Sequence, residues 1–218
     1  MINIITSFYI CRLNSELNNE RNNELQQCLK YNIENPLIEK IHLFLDDEDA
    51  HNYIQHINSN KIKIIEIGKK PLYSDLFAYA NNNLQNKICM ITNSDIYLKE
   101  CDLQILNAVN YNTVYALTRY EHDMSCPLIQ KYQGSHDSFI FRSPLSNSFI
   151  DKVQHVQHVW GSENVLLYEL AKANILIYNP CYQIKIVHLH KSDLRENNRP
   201  RINYQRSLEI PPIFIKLL

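Results

Sequence analysis

A chain of 218 residues, 45% apolar and 21% charged, is long enough for one sizeable core and has the balance of an ordinary soluble globular protein. Its formal net charge of −1 leaves no basic surplus for a nucleic-acid or other polyanionic partner. No window approaches the ~18 uninterrupted apolar residues of a transmembrane segment.

The start, Met1-Ile2-Asn3-Ile4-Ile5-Thr6, lacks a basic leader and reads as structure, not as a signal peptide. Asn3 to Tyr9 forms a buried strand with Thr6-Ser7 near its end. Ser15 to about Asn32 carries a helical stripe of Leu17, Leu25, Cys28 and Leu29, with Ser15 as N-cap and Asn35-Pro36 as the stop. Lys40 to Leu45 is a second strand, with Asp46-Asp47 at its carboxyl end. Glu48 to Ile57 is helical, and Lys61 to Ile67 alternates charge with isoleucine as an edge strand does. Tyr73 to Leu84 is a helix opening at Ser74 or Asp75. Ile88 to Ile91 is a short continuous apolar run, expected of a strand buried on both faces, and it stops at Thr92-Asn93-Ser94-Asp95.

Strand and helix thus alternate through the first hundred residues, the signature of an α/β fold with a mostly parallel central sheet flanked by helices. Ligands of such sheets bind beyond the carboxyl ends of the strands. Right-handed crossovers collect Thr6, Ser7, Asp46, Asp47, Asn93 and Asp95 on one rim.

The second half is less regular. Thr113 to Thr118 is a strand leading to Arg119-Tyr120-Glu121, and a polar loop runs on to Gly134. Ser135-His136-Asp137-Ser138 opens another strand, and Ser146 to Val159 reads as irregular surface. Trp160-Gly161-Ser162 precedes a helix from Glu163 to Ala173, with Ser162 as N-cap. Ile175 to Tyr178 and Gln183 to His190 are strands. The end, with Arg195, Arg199, Arg201, Arg206 and Pro211-Pro212, is extended and positioned to wrap the domain or fold over a ligand. No repeat or linker interrupts the chain, so residues 1–218 read as one domain. The six scattered cysteines, without a Cys-x-x-Cys pair, suit buried thiols in a reducing compartment and exclude a structural zinc. The expected place is the cytoplasm.

Three glycines stand where average usage would give about fifteen. Such a chain cannot build a Gly-x-Gly-x-x-Gly fingerprint, a phosphate loop or a nucleophile elbow. Phosphates would have to be held by metal and side chains. Asp95, on the tip of a rigid strand, can hold a divalent cation and through it a diphosphate, or it can simply form a turn. His188 and His190, two apart on a strand, face one way and with a carboxylate make a metal-ligand set for Mn2+ or Mg2+. Asp137 is either a strand-entry turn or a general base. Glu163 is either a helix-dipole partner worth ~0.3–1 kcal/mol or an active-site carboxylate beside Trp160-Gly161, a platform for a sugar face. Arg12, Arg119 and Arg195 each follow a strand and can meet phosphate oxygens bidentately.

In this order, Asn93-Ser94-Asp95, Gly134-Ser135-His136-Asp137, Trp160-Gly161-Ser162-Glu163-Asn164 and His188-Leu189-His190 resemble the nucleotide-sugar glycosyltransferases of the GT-A fold. The likeness is nearest to the small single-domain type of chlorella viruses and other large DNA viruses, and it covers Ile2 to about Arg195. It implies a nucleotide-binding half at 1–100, an acceptor and catalytic half at 101–195 and a tail at 196–218. Asn93-Ser94-Asp95 would stand for the Asp-x-Asp metal motif, with asparagine for the first aspartate. His188 or His190 would complete the metal shell, and Glu163 would be an acceptor-side carboxylate.

On that resemblance the chain is a metal-dependent glycosyltransferase using a nucleoside diphosphate sugar, preferably a uridine one, and a glycan or other hydroxyl acceptor. Thr6, Ser7, Arg12 and Asp46 would surround base and ribose, and Tyr73 and Asp75 would close that side. Asn93, Asp95, Arg119 and Trp160 would complete the donor site, with Asp137 marginally ahead of Glu163 as base. A non-catalytic sugar-nucleotide-binding module and a sugar nucleotidyltransferase are the rivals. An Asp95 that points away from any cavity, or is sealed in a contact with a distant lysine, would collapse the enzymatic reading and leave a bare α/β domain.

Overall fold

The structure is a computed structural model that describes residues 1–12, 15–125, 135–157, 159–191, 202 and 206–217, with the side chains of 15–17 set aside. Gly134, Arg195, Arg199, Arg201 and Cys126 lie outside the described residues. In chain order the elements of the first half are β1 (Ile2–Phe8), α1 (Ser15–Glu34), β2 (Ile38–Leu45), α2 (Glu48–Ile54), β3 (Ile62–Glu66), α3 (Tyr73–Asn83) and β4 (Ile88–Thr92). There follow β5 (Ile96–Cys101), α4 (Leu103–Asn107), β6 (Thr113–Leu117), β7 (Tyr120–Glu121), β8 (Ser138–Arg142), a 3₁₀ turn at Asn147–Lys152, α5 (Ser162–Lys172), β9 (Leu176–Tyr178) and β10 (Ile184–His188).

Every residue of β1 and of β4 is buried, as continuous apolar runs in a doubly covered sheet should be. The central sheet has seven strands in the order β3-β2-β1-β4-β8-β6-β9. Its β3-β2-β1-β4 half is parallel throughout, with β3 at the edge as its alternation suggests. Strand β8 alone runs against its neighbours, antiparallel to both β4 and β6, while β9 is parallel to β6. This reversal positions the site: Ser138, first in β8, lies opposite Thr92, last in β4. Asp137 therefore arrives on the rim where the parallel strands end.

A second sheet, β5-β10-β7, sits beside the first. It was not expected: the apolar run of β4 stops at Thr92-Asn93-Ser94-Asp95, and no element was expected at Ile96–Cys101. Since β5 starts immediately after Asp95 and runs antiparallel to β10, Ile96 pairs with His188 at the far end of β10. The parallel β7 then sets Glu121 opposite His188. Three remote residues are thus fixed in one row by register.

Alternation along the strands feeds two apolar layers. On one face Ile2, Ile4 and Ile41 pack with Leu25 and Leu29 of α1 and with the small sheet through Ile96, Leu98, Ile184 and Ile186. On the other, Ile5, Cys89 and Phe139 pack with Leu76 and Phe77 of α3 and Leu166, Leu167 and Leu170 of α5. The segment expected to be irregular surface contains the 3₁₀ turn, and its Phe149 is buried in that second layer. The N-cap of α5 is Gly161, not Ser162: φ is +85°, a left-handed conformation open to glycine. Asp47, expected on the ligand rim, caps α2 by accepting the Ala50 N–H at 2.8 Å. Among the described residues no helix is long and apolar enough to cross a membrane. Among the described residues of the tail, Ile202 N–H bonds the Trp160 carbonyl, Leu208 N–H that of Asn164, and Ile213 N–H that of Asn179.

Candidate functional site

Asp95 follows β4 and precedes β5, so its side chain is held by two strands. It is 6% exposed. Its Oδ2 accepts from Arg21 Nη2 of α1 and from His188 Nε2 at 3.1 Å, while His190 Nδ1 stands 3.9 Å away. Asp95 is therefore sealed against a distant cation, an arginine in place of a lysine, yet it faces both expected histidines at once. Asp95, His188 and His190 each offer a ligand atom within 4.8 Å of the others. His190 Nε2 is buried without a hydrogen-bond partner. This donor set fits a divalent ion, and two imidazoles suit Mn2+ better than Mg2+, which prefers oxygen octahedra.

Burial alone would raise the Asp95 carboxyl, but His188 and Arg21 outweigh it and hold it well below the usual carboxylate range. For His188, burial opposes the charge, whereas Asp95 and Glu121 push its pKa up to about 9. Both ring nitrogens donate to carboxylates, Nδ1 reaching Glu121 Oε2 at 3.2 Å, so the ring is an imidazolium. As a metal ligand it must first release the Nε2 proton.

The charges continue as a ladder of alternating sign. Glu121 is drawn down to about 2, chiefly by the bond from His188, and its Oε1 accepts from Arg119 Nε at 3.1 Å. Arg119 Nη1 donates to Asp137 Oδ1 at 3.0 Å. Asp137 Oδ1 also accepts from Asn93 Nδ2 at 3.2 Å, and Oδ2 from Ser135 Oγ at 2.6 Å. At the other end Arg21 Nη1 donates to Glu24 Oε2 at 2.9 Å. Each inner member meets an opposite charge on both sides, which is what offsets the desolvation of so many buried ions.

Beyond Asp137 stands Glu163 in the first turn of α5. Burial first, then the Asp137 charge, push its carboxyl up to about 7. Tyr73 is fully buried, with its ring edge-on to Phe139. Its phenol is raised by burial and then by Glu163 and Asp137. Buried polar atoms without a partner are rare in folded proteins. Here they include Asp46 Oδ1, Tyr73 Oη, Asn93 Oδ1, Ser94 Oγ, Ser162 Oγ and His190 Nε2, all on or next to residues singled out in the sequence.

The remaining candidates are spread more widely. Thr6 Oγ1 donates to the Thr92 carbonyl at 2.8 Å, and Ser7 Oγ donates to Gln157 Oε1 at 3.3 Å. A void of about 10 Å³ under Thr6, Ser7, Asn93 and Ser94 has room for roughly one water. Asp46 is raised by burial and then by Asp47. Arg12 is exposed and pairs with Asp47 and Asp49, each at 2.7 Å. Asp75 accepts the Leu72 N–H at 2.9 Å and pairs with Lys69, so it acts as a cap on α3. Trp160 is 52% exposed beside Gly161.

Arg21, Glu24 and Gln157 were not anticipated. For Arg21 and Glu24 a signal existed: both interrupt the stripe that Leu25 and Cys28 define, and a charge on a buried helix face needs a partner. Gln157 had none, since its partners Ser7 and Thr92 lie 150 and 65 positions away.

A seven-stranded, mostly parallel sheet with helices on both faces and its polar cluster at the strand ends places the chain in an α/β fold that solved glycosyltransferases also adopt. One such structure is the mannosyltransferase PcManGT from Pyrobaculum calidifontis in complex with GDP-Man and Mn2+, with a TM-score of 0.53 and 9% identity over 88% of this chain. At that identity the likeness shows the fold alone, and the chain spans 58% of the neighbour's length. No protein-family model and no curated protein matches the sequence.

Proposed function

We propose that this chain is a metal-dependent glycosyltransferase that moves a sugar from a nucleoside diphosphate sugar to a hydroxyl of a glycan acceptor. The observation that carries the reading is the meeting of Asp95, His188 and His190 at the carboxyl ends of the strands, where open α/β sheets bind ligands. The fold neighbour, a mannosyltransferase in complex with GDP-Man and Mn2+, supports it. A divalent ion held by these three would stabilise charge on a departing nucleoside diphosphate.

The chain's own groups divide the remaining work. Asp46 Oδ1, buried and unpartnered, suits an N–H donor of the base, and Thr6 and Ser7 fix the floor beneath it. Arg12, exposed and paired with Asp47 and Asp49, would turn to the phosphates, and the indole of Trp160 offers a face for a sugar. Asp137 already accepts from Arg119, Asn93 and Ser135, so it serves as a fixed negative charge. Glu163, raised to about 7, takes a proton from the acceptor hydroxyl near neutral pH. That assignment puts Glu163 ahead of Asp137 as base, with Tyr73 behind both.

One observation favours a second reading. Arg21 already neutralises Asp95, as would suit a module that binds sugar nucleotides without turnover. Transfer and hydrolysis of UDP- and GDP-sugars, measured with Mn2+ and with EDTA, separate the two. The enzyme turns over only with metal, and Asp95→Asn costs roughly 10²-fold. Binding without turnover in the wild type leaves the module. Absence of both sinks both readings.

A further inference from the structure

We propose that Arg21 is an internal cation that holds the Asp95 carboxylate in the metal-free protein and competes with a divalent ion for it, thereby setting how tightly the site takes metal. The inference rests on Asp95, His188 and His190 being the ligands. Arg21 is 5% exposed and anchored on every side. Nη2 lies on Asp95 Oδ2, the same oxygen that His188 Nε2 approaches. Nη1 bonds Glu24 Oε2 at 2.9 Å and the Leu189 carbonyl at 3.3 Å.

Glu24 in turn accepts the Lys191 N–H at 2.6 Å, and the Leu189 N–H bonds the Asp95 carbonyl at 2.9 Å. Arg21 and Glu24, one turn apart on α1, thus clamp the residues on both sides of His190. The clamp keeps the ligand atoms together without an ion. Its cost to an arriving ion is a fixed positive charge on a ligand oxygen, since like charges repel strongly where water is excluded. Oδ2 of Asp95 already accepts from Arg21 and from His188, which uses up its two lone-pair directions before any metal arrives. On this proposal an arriving ion displaces the guanidinium from Asp95 while Glu24 and the Leu189 carbonyl retain it.

The test is Mn2+ binding, followed by calorimetry and by the electron paramagnetic resonance of free Mn2+, with thermal melting alongside. Arg21→Gln removes the charge and is expected to bind Mn2+ about ten-fold more tightly than the wild type. Its metal-free form melts lower, and Mn2+ raises its Tm by more than it raises that of the wild type. Arg21→Lys, which keeps the charge, stays near wild-type affinity. Equal or weaker Mn2+ binding by Arg21→Gln overturns the inference alone, because Arg21 would then orient the ligands without competing. No Mn2+ binding by either protein overturns the metal centre itself and the inference with it. Should Arg21→Gln not fold, nuclear magnetic resonance of the wild-type guanidinium decides. Saturation with Zn2+ speeds exchange of the Arg21 Nη protons with water, and unchanged exchange overturns the inference.

Discussion

Glu121 joins the two halves of the ladder through one carboxylate: Oε2 holds His188 and Oε1 holds Arg119, which holds Asp137. A carboxylate behind a metal-ligating histidine fixes the ring and typically matters 10–100-fold to the site. Glu121→Gln keeps the shape but removes the charge that both cations face. It is expected to lower turnover about 10–100-fold, with a stability loss of about 1–3 kcal/mol. Glu121→Asp, keeping the charge, recovers part of the turnover. Turnover at saturating donor, read beside urea denaturation, checks this, and an unchanged turnover would remove Glu121 from the site. At this scale the sequence was legible in types more than in partners. Asp95, Asp137, His188 and His190 stood out by position, whereas the row Asp95–His188–Glu121 depends on strand register, which no local pattern encodes.

At the scale of elements, the first hundred residues were legible because each buried strand is a short apolar run and each helix carries a stripe. Of the small sheet only β10 was legible, within Gln183 to His190. Ile96 to Cys101 follows β4 after only three residues, and β7 is two residues long, below what periodicity can resolve. Strand β8 matters most to the site, since its reversed direction delivers Asp137 to the rim. Phe141 holds it there: fully buried, 5.1 Å from the Phe77 ring and in register with Cys89 and Val114. Phe141→Ala should cost about 3–5 kcal/mol from lost transfer energy and the cavity left behind. Urea unfolding checks it. A lower midpoint with unchanged slope is the expected result, and a loss below about 1 kcal/mol would mean that β8 is held by its backbone ladder instead.

For the molecule as a whole, displaced titrations of opposite sign shape the response to mild acid, with His42 and Glu163 moved far and His155 lowered by burial on the side of His42. His42, on β2 opposite Ile5 of β1, is lowered to about 4 by burial and then by Lys63, from an ordinary 6.5. Tyr79 Oη at 2.9 Å and Asn3 Oδ1 at 3.4 Å suit a neutral ring that accepts from one and donates to the other. Folding therefore favours the neutral ring, and its contribution is lost as pH falls from 6.5 toward 4. Glu163 has the reverse sign. Raised to about 7 from 4.5, it is penalised when ionised, so folding gains stability as pH falls from 7 toward 4.5. Each term is worth about 3 kcal/mol at most over its full range, and between 4.5 and 6.5 they oppose. Glu121, drawn to about 2, acts below that window, and His188, raised to about 9, acts above it. Subtracting mutant from wild-type stability across pH isolates one group at a time. Glu163→Gln is expected to be more stable than the wild type at pH 8 by about 2–3 kcal/mol, with the gain shrinking to nothing near pH 4.5. His42→Gln should show the opposite slope, its deficit at pH 7 narrowing as the wild-type ring is forced to charge. Urea midpoints at half-unit pH steps read both slopes. A pH-independent difference for Glu163→Gln would show that its carboxyl titrates alike in the folded and unfolded chain, and would remove it as a base poised near neutrality.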